Sequence, residues 1–574
     1  MYVPTSRQEM SKLIALLILL FAPLLRVLLG FQPHSGQDDV HGASGAYGGD
    51  FEAQRHWMEL TLHLPIDQWY YYDLEYWGLD YPPLTAYVSY LCGVGSSWFV
   101  GAHAVALDTS RGIEDPTHKS YMRATVLVLD ILIYYSAVYY TTMKKQKSLD
   151  KNNSYSKNSY WTILLALAQP SILLIDHGHF QYNTVALGLS LWAFYFMTMS
   201  TEFSGCIIGA IFYCLALNFK QMTLYFAPAV FFYLLGRCLS EDDHRPRQFI
   251  YRFCSLGGTV ILCFAILWFP FLYYETSHTS TTTLERATHV LRRIFPFQRG
   301  LFEGKVSNLW CALSTKPISI RDRIQADLQP LVALMLTLCL IAPASYSIFR
   351  VGQGRRQEHI NTQRQRDWTQ LLWASANTAL AFFLASFQVH EKSILLTLSP
   401  ISLLLCEDPA FVDWFSYASA WTLWPLLQLD QLEVGYFCIM IIFGCLIWIR
   451  NQTAEVPISN PSKYGFVDTA FRKSIPLCYI GMMVLHVAEA TIPAPGNLPD
   501  LYPVLWSIYG CGMFCLAWIV TYTKLLQPLS RHGSVQKEKI SWLLLVATCS
   551  LLDGDVNDQS WDWISVLTLK RNVR

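Results

Sequence analysis

The chain has 574 residues, of which 53% are hydrophobic, 14% aromatic and only 15% charged. Charged residues make up about a quarter of an average soluble domain, so this chain is too poor in charge to coat the ~4 soluble domains its length suggests. The composition is that of a membrane protein, and a formal net charge of zero removes any electrostatic argument for nucleic acid as a partner. The 15 cysteines lie mostly inside apolar runs, with no CxxC pair and no Cys/His cluster at metal spacing, so they read as small core residues and no metal or cofactor is expected.

Windows of ~20 mainly apolar residues mark the spanning helices, and about fourteen are expected. The first covers roughly Leu13 to Gly30, and Arg26 inside its far end, with no small-residue cleavage site after it, makes residues 1–30 an uncleaved anchor. In residues 31–120 an apolar run from about Leu84 to Leu107 is interrupted by Gly93, Gly95, Ser96 and Ser97 and is left out of the count. Further spans follow at about 121–142, 160–176, 183–200, 205–218, 221–236 and 254–274. A long loop, 275–327, separates these from 328–349, 368–389, 393–406, 411–427, 433–449, 476–493 and 501–523, leaving a tail at 524–574. Alternation puts the basic loops 143–159, 237–252, 350–367, 450–475 and 524–540 on one side, which the distribution of Lys and Arg makes cytoplasmic together with the N-terminus. The sequons at Asn152 and Asn451 fall on that side and carry no functional weight. The opposite side receives 31–120, the short loop Asp176 to Asn183, the loop 275–327 and the turn His390-Glu391-Lys392.

Chemistry concentrates in those opposite-side segments. In GGDFEAQRHWMEL, Gly48 to Leu60, Asp50 is placed to start a helix, with Glu52, Arg55, His56 and Glu59 recurring on its polar side at three- and four-residue spacing. Asp50 reads equally as a helix N-cap or as a reactive carboxylate. Residues 67 to 87 hold eight aromatics, suited either to an interfacial belt or to stacking on sugar faces, and Asp80 precedes the stiff Tyr81-Pro82-Pro83. The stretch from Glu285 to Trp310 interleaves Arg286, Arg292, Arg293, Arg299 and Lys305 with aromatics. Long loops tolerate basic residues, but arginine forks also suit phosphate oxygens. His390-Glu391-Lys392 at a helix end is either a set of snorkelling side chains or a functional triplet, and Asp176, His177, His179 and Gln181 form a smaller polar turn facing the same compartment.

Together GDFEAQRHWMEL, WYYYDLEYWGLDYPPLTAY, IDHGHFQYN, LNFKQMTLYFAP, RIFPFQRGLFEGKVSNLWC and FQVHEKSILL resemble the eukaryotic dolichyl-phosphate-glucose-dependent glucosyltransferases of the endoplasmic reticulum, all-α polytopic enzymes of the GT-C class. The blocks run from residue 48 to about 400, and little is recognisable beyond about 430. The likeness is nearer to the branch that places the first glucose on a nine-mannose, dolichyl-pyrophosphate-linked oligosaccharide than to the sibling that adds the second, whose late motif reads WHVHEK where this chain has FQVHEK. The resemblance implies an inverting α-1,3 transfer from dolichyl phosphate β-D-glucose in assembly of the N-glycan precursor. It also implies a multi-pass protein of the endoplasmic reticulum membrane with a lumenal active site and no metal. It places the catalytic base on Asp50 and a second acidic position on Asp80. Candidates for substrate binding are Glu52, Arg55, His179, Arg286, Arg292, Arg293, Arg299, His390 and Lys392. The chain departs from the family pattern RGLFED at Gly304 and has Thr397 where proline is usual. A polytopic lipid or sugar transporter is the rival reading, but no repeat-related halves are visible, and only Arg26 and Asp130 stand out as ionisable within spans.

Overall fold

The computed structural model describes residues 16–37, 48–147, 155–200, 202–239, 246–273, 282–295, 306–316, 318–354, 360–453 and 466–526. The chain divides into two compact units, Met1–Leu525 and Leu526–Arg574, and the second lies outside the described residues apart from Leu526. The described residues are helical, with no strand among them.

Among the described residues, seven helices are long and apolar enough to cross a membrane: Pro116–Met143, Ser159–Phe180, Pro246–Tyr273, Ala326–Gly352, Glu433–Thr453, Phe466–Thr491 and Leu501–Leu526. The other expected spans coincide with shorter or less apolar helices, among them Asn183–Met199, Ser204–Phe219, Ala227–Cys238, Ile360–Ala385, Ile394–Ser402 and Pro409–Trp421. The omitted run at 84–107 is a helix too, Pro83–Phe99. Burial ranks the seven: 94% of the apolar window in Ser159–Phe180 is inside the protein, against 11% in Pro246–Tyr273 and in Phe466–Thr491. The first of these therefore runs through the centre of the bundle, and the other two turn their apolar side chains outward to lipid.

The central segment explains how the site is placed. Pro170 cannot continue the helix Tyr155–Leu167, and the chain breaks at Gln169 before resuming. From Leu173 to Phe180 it then winds as a wide, π-type turn, not the loop expected from its polar DHGHFQYN. Wide turns leave backbone groups outside the regular ladder, and buried side chains take them up here. Arg123 donates from Nη1 to the His177 carbonyl at 2.6 Å and from Nη2 to those of Gly178 at 2.7 Å and Pro33 at 3.2 Å. Arg26 and Asp130, singled out above as ionisable within spans, meet: Arg26 Nε is 2.6 Å from Asp130 Oδ2, and His177 Nε2 is 2.9 Å from the same oxygen. Arg26 also holds the carbonyls of Ala22 and Leu167, so the first helix is tied into the centre of the bundle.

At the opposite end of the bundle charges join the later helices. Lys524 pairs with Asp468 and Asp408 at 2.8 Å each, Arg472 with Asp408 at 2.8 Å, and Arg450 grips Asp413 through two nitrogens.

Candidate active site

Three segments converge on Asp50. Gly36 and Gly49 have φ of +74° and +87°, and a Cβ on either would fall within about 2 Å of the other strand's backbone. Only glycine allows this approach, which lays the turn Pro33–Gln37 against the start of the helix Gly49–His63. Gly48 is the N-cap and contributes no side chain, so Asp50 is not the cap and its carboxylate turns inward. Its Oδ2 accepts from Gln181 Nε2 at 2.6 Å, lies 2.7 Å from His179 Nε2, and is in close contact with the Lys392 ammonium. The wide turn carries His179, and a short 3-10 turn, Glu391–Ser393, carries Lys392. His179 Nδ1 reaches Asp430 Oδ2 at 2.5 Å on its far side, so the imidazole bridges two carboxylates.

A second ammonium stands behind this set. Lys220, only 4% exposed, donates to Gln181 Oε1 at 3.0 Å and Asn183 Oδ1 at 2.5 Å, and it sits 5.0 Å from the centre of the Tyr81 ring. Asp176 accepts from Asn183 Nδ2 and the Thr184 amide, both at 2.7 Å, which fixes the Asn183 amide that holds Lys220. A small cavity is lined by Lys220, Lys392, Asn183 and Thr223 on one side and by Leu187, Met222, Leu395 and Leu396 on the other. Burial alone would raise the Asp50 pKa, but the charge of Lys392 and the His179 hydrogen bond outweigh it and hold the carboxyl well below the usual range. Burial and then the Lys392 charge pull Lys220 down to about 8, against the opposing charges of Asp176, Asp50 and Asp80.

The other expected residues lie at varying remove. Asp80 is half-buried, with its carbonyl 3.4 Å from Gln221 Nε2. Arg293 donates to the carbonyls of Gly78 and Leu79 immediately before it, and Gln221 also bonds the Ile294 carbonyl, so the surface helix Thr283–Ile294 is fastened to the Asp80 segment. On that helix Arg286 is buried, with Nε and Nη1 making no hydrogen bond among the described residues, while Arg292 is exposed. His390 is exposed beside Lys392. Arg299, Lys305 and Gly304 lie outside the described residues.

Glu52 and Arg55 are not on a wet face of their helix. Arg55 Nε and Nη2 grip Glu52 at 2.7 and 2.5 Å, and its Nη1 lies 2.6 Å from Glu59 Oε2, with Tyr76, Ser110 and the Asp108 amide completing a buried network. Nor do all eight aromatics form a belt: three of them, Trp69, Tyr70 and Tyr76, are buried, and Trp69 and Tyr70 pack on Phe271. Sequence reasoning gave no weight to Lys220 or Asp430. The first is a lone cation between two apolar runs, and the second a lone acid between Leu429 and Gln431.

In a many-spanning helical protein, buried charge converging on one carboxylate beside a cavity marks that end as the candidate site for chemistry. A family model described as the ALG6, ALG8 glycosyltransferase family matches residues 22–520, and the chain belongs to that family. It is 36% identical over 516 residues to a Schizosaccharomyces pombe protein named as a probable dolichyl pyrophosphate Man9GlcNAc2 alpha-1,3-glucosyltransferase, covering 89% of this chain and 92% of the relative. Proteins carrying the same name without the qualifier are 36% identical in mouse, covering 85% of this chain and 93% of theirs, and 35% identical in Saccharomyces cerevisiae, covering 90% and 92%.

Proposed function

We propose that the chain transfers glucose from dolichyl phosphate β-D-glucose to a terminal mannose of dolichyl-pyrophosphate-linked Man9GlcNAc2, forming an α-1,3 linkage. The reaction belongs to assembly of the N-glycan precursor, with the active site on the lumenal face of the endoplasmic reticulum membrane. The observation that carries the reading is one carboxylate, Asp50, in contact with the Lys392 ammonium, with the Lys220 ammonium behind it, the two cations lining a small cavity together with Asn183, Thr223, Ser393 and apolar side chains. The cations suit phosphate oxygens and Leu187, Met222, Leu395 and Leu396 suit an isoprenoid, but the cavity of about 10 Å3 is no larger than one water, so the donor enters there only as these side chains move apart.

A β donor and an α product require inversion, hence one displacement without a covalent intermediate. The mannose hydroxyl forms the new bond to the anomeric carbon as its proton passes to Asp50, and the glucose–phosphate C–O bond breaks. Because phosphate leaves readily, no second carboxylic acid is required as in a glycosidase, and the demand falls on cations that stabilise the departing charge. Lys392 and Lys220 supply it, with His390, Arg286, Arg292 and Arg299 as further donors toward phosphate. His179 and Gln181 orient the base, and Asp430 fixes the His179 ring. Asp80, held through Arg293, borders the sugar site, and Glu52 and Arg55 serve substrate binding by fixing the helix that bears Asp50.

The test is transfer in vitro from a synthetic dolichyl phosphate glucose analogue to a nine-mannose lipid acceptor. Asp50→Asn should lose on the order of 10²–10⁴ in kcat, the usual worth of a general base, while melting temperature and donor affinity stay near wild type. A well-folded Asp50→Asn protein with undiminished turnover would overturn the base assignment. Preference for an acceptor that already bears one glucose would overturn the acceptor assignment.

A further inference from the structure

An inverting displacement brings the attacking hydroxyl to the anomeric carbon from the face opposite the leaving phosphate. If the phosphate lies against Lys392 and Lys220, the acceptor approaches Asp50 from elsewhere. A second cleft, of about 280 Å3, lies beside the start of the Asp50 helix, lined by His34, Gln37, Phe51, Ile113, Glu114, Pro116 and Lys119, and shares no lining residue with the lysine cavity. It adjoins the base through short links. The Asp50 amide donates to Ser35 Oγ at 3.2 Å, the Ser35 amide donates to the His179 carbonyl at 3.0 Å, and His34 and Phe51 are the chain neighbours of these two residues.

The walls are pre-set. His34, 6% exposed, stacks on Phe51 with ring centres 3.9 Å apart and planes 14° from parallel. Lys119 donates to the Gln32 carbonyl at 3.0 Å and to Gln37 Oε1 at 2.9 Å, tying the turn to the helix that Pro116 begins. Burial pushes the His34 pKa down to about 3, so its imidazole is neutral and offers hydroxyl groups a ring nitrogen as acceptor. The one carboxylate and one ammonium of the lining nearly cancel, which disfavours an anion such as pyrophosphate. Apolar surface from Ile113 and Pro116 beside the buried His34–Phe51 stack, set among groups that donate and groups that accept, is the complement of a neutral polyhydroxylated ring.

We infer that this cleft is an acceptor subsite that holds a mannose branch other than the one receiving glucose. The inference rests on the glucosyl-transfer reading. Of nine mannoses one reacts, and a cleft near the ~300 Å3 lower end of small-ligand sites has room for a ring or two of the remainder. His34, Gln37 and Glu114 then set which branched acceptors are used, separately from donor binding and chemistry.

The experiment uses the full chain in lipid nanodiscs with two acceptors, the nine-mannose lipid and a linear one carrying only the mannose arm that is glucosylated. Glu114→Gln changes an exposed side chain and His34→Phe keeps the stack on Phe51 while removing both ring nitrogens. Each should raise the KM of the nine-mannose acceptor about tenfold, the factor equivalent to one lost hydrogen bond of about 1.4 kcal/mol, with kcat and donor KM within twofold. With the linear acceptor neither variant should differ from wild type. Binding of the soluble nine-mannose glycan to full-length protein, read by saturation-transfer NMR, should weaken in both variants by the same factor. Unchanged nine-mannose KM and glycan binding would overturn the subsite, as would equal losses with both acceptors. Wild-type inactivity with either acceptor would instead overturn the transfer reading, and the subsite with it.

Discussion

Lys392 is the residue on which the two halves of the reaction meet, because its ammonium touches the carboxylate that takes the proton and lines the cavity that suits the phosphate. Lys220 shares that cavity from a more deeply buried position, and burial together with the Lys392 charge lowers its pKa to about 8. Protonated Lys220 is the phosphate-binding form, so the sign follows directly: donor KM is flat below about pH 7 and rises as pH passes about 8, by up to tenfold per unit. An ordinary surface lysine would hold its proton to about pH 10.4, and Lys220→Arg should move the break beyond the measurable range. Donor KM measured from pH 6 to 9.5 in both proteins checks this, and a flat wild-type curve across pH 8 would remove Lys220 from the phosphate site. Asp50, His179 and Lys392 were legible in the sequence because each stands in a dense polar block between apolar runs. Lys220 and Asp430 were not, since a single charge at the end of an apolar run has the same appearance whether it faces water or a buried partner. Only the fold, by bringing residues 50, 179, 220, 392 and 430 together, separates those cases.

The helix Gly49–His63 shows the same limit for a whole element. The spacing of Glu52, Arg55, His56 and Glu59 reads as the polar side of a helix, and in the structure that polar side is buried. The pattern of paired opposite charges at three and four residues is common to a solvated face and to an internally neutralised one. Here Arg55 is the hub, and a hub arginine is expensive to remove. Arg55→Met leaves Glu52 and Glu59 buried without their cation and should cost about 3–5 kcal/mol, whereas Tyr76→Phe removes one neutral donor and should cost about 1 kcal/mol. Thermal or denaturant unfolding of the purified variants measures both, and similar small losses would mean that the network opens to water. The wide turn Leu173–Phe180 escaped for a different reason: polar DHGH has loop composition, and no periodicity argument anticipates that Arg123, 54 residues earlier, will cap its carbonyls. The surface helix Thr283–Ile294 was legible in principle, since Thr282 and Glu285 form a reciprocal capping box, yet its arginines drew the attention first.

For the whole molecule, hydropathy predicted where helices lie: seven expected spans coincide with helices long and apolar enough to cross a membrane, and the others, where described, with shorter or less apolar ones. The same alternation makes a stronger demand, that residues assigned to one side meet. Asp50, His179, Lys220, Lys392 and Asp430 all fall on the side opposite the basic loops, and they form one site. Asp408, Asp413, Arg450, Asp468, Arg472 and Lys524 fall near the basic-loop ends of their helices, and they form the other cluster. A single omitted or added span between residues 180 and 430 would have put Asp430 at the wrong end from its partner His179, so the pairing constrains the spans between them to an even number and is silent on which side is cytoplasmic. The assignment of the active site to the lumen then has a direct test in glycosylation, because the oligosaccharide is added only on that side. Asn451 and the sequon at Asn152 lie on the cytoplasmic side by this scheme and should stay unmodified, so the wild-type protein should not change mobility after endoglycosidase treatment. Asn497 lies in the exposed connection between Phe466–Thr491 and Leu501–Leu526, which the same alternation assigns to the side of Asp50. Pro499→Thr completes an Asn-x-Thr triplet there and should add one endoglycosidase-sensitive glycan, detected as a single shift on a gel. A shift in the wild type that disappears when Asn451 is replaced by Gln, with none gained by Pro499→Thr, would invert the orientation and place the Asp50 site in the cytoplasm.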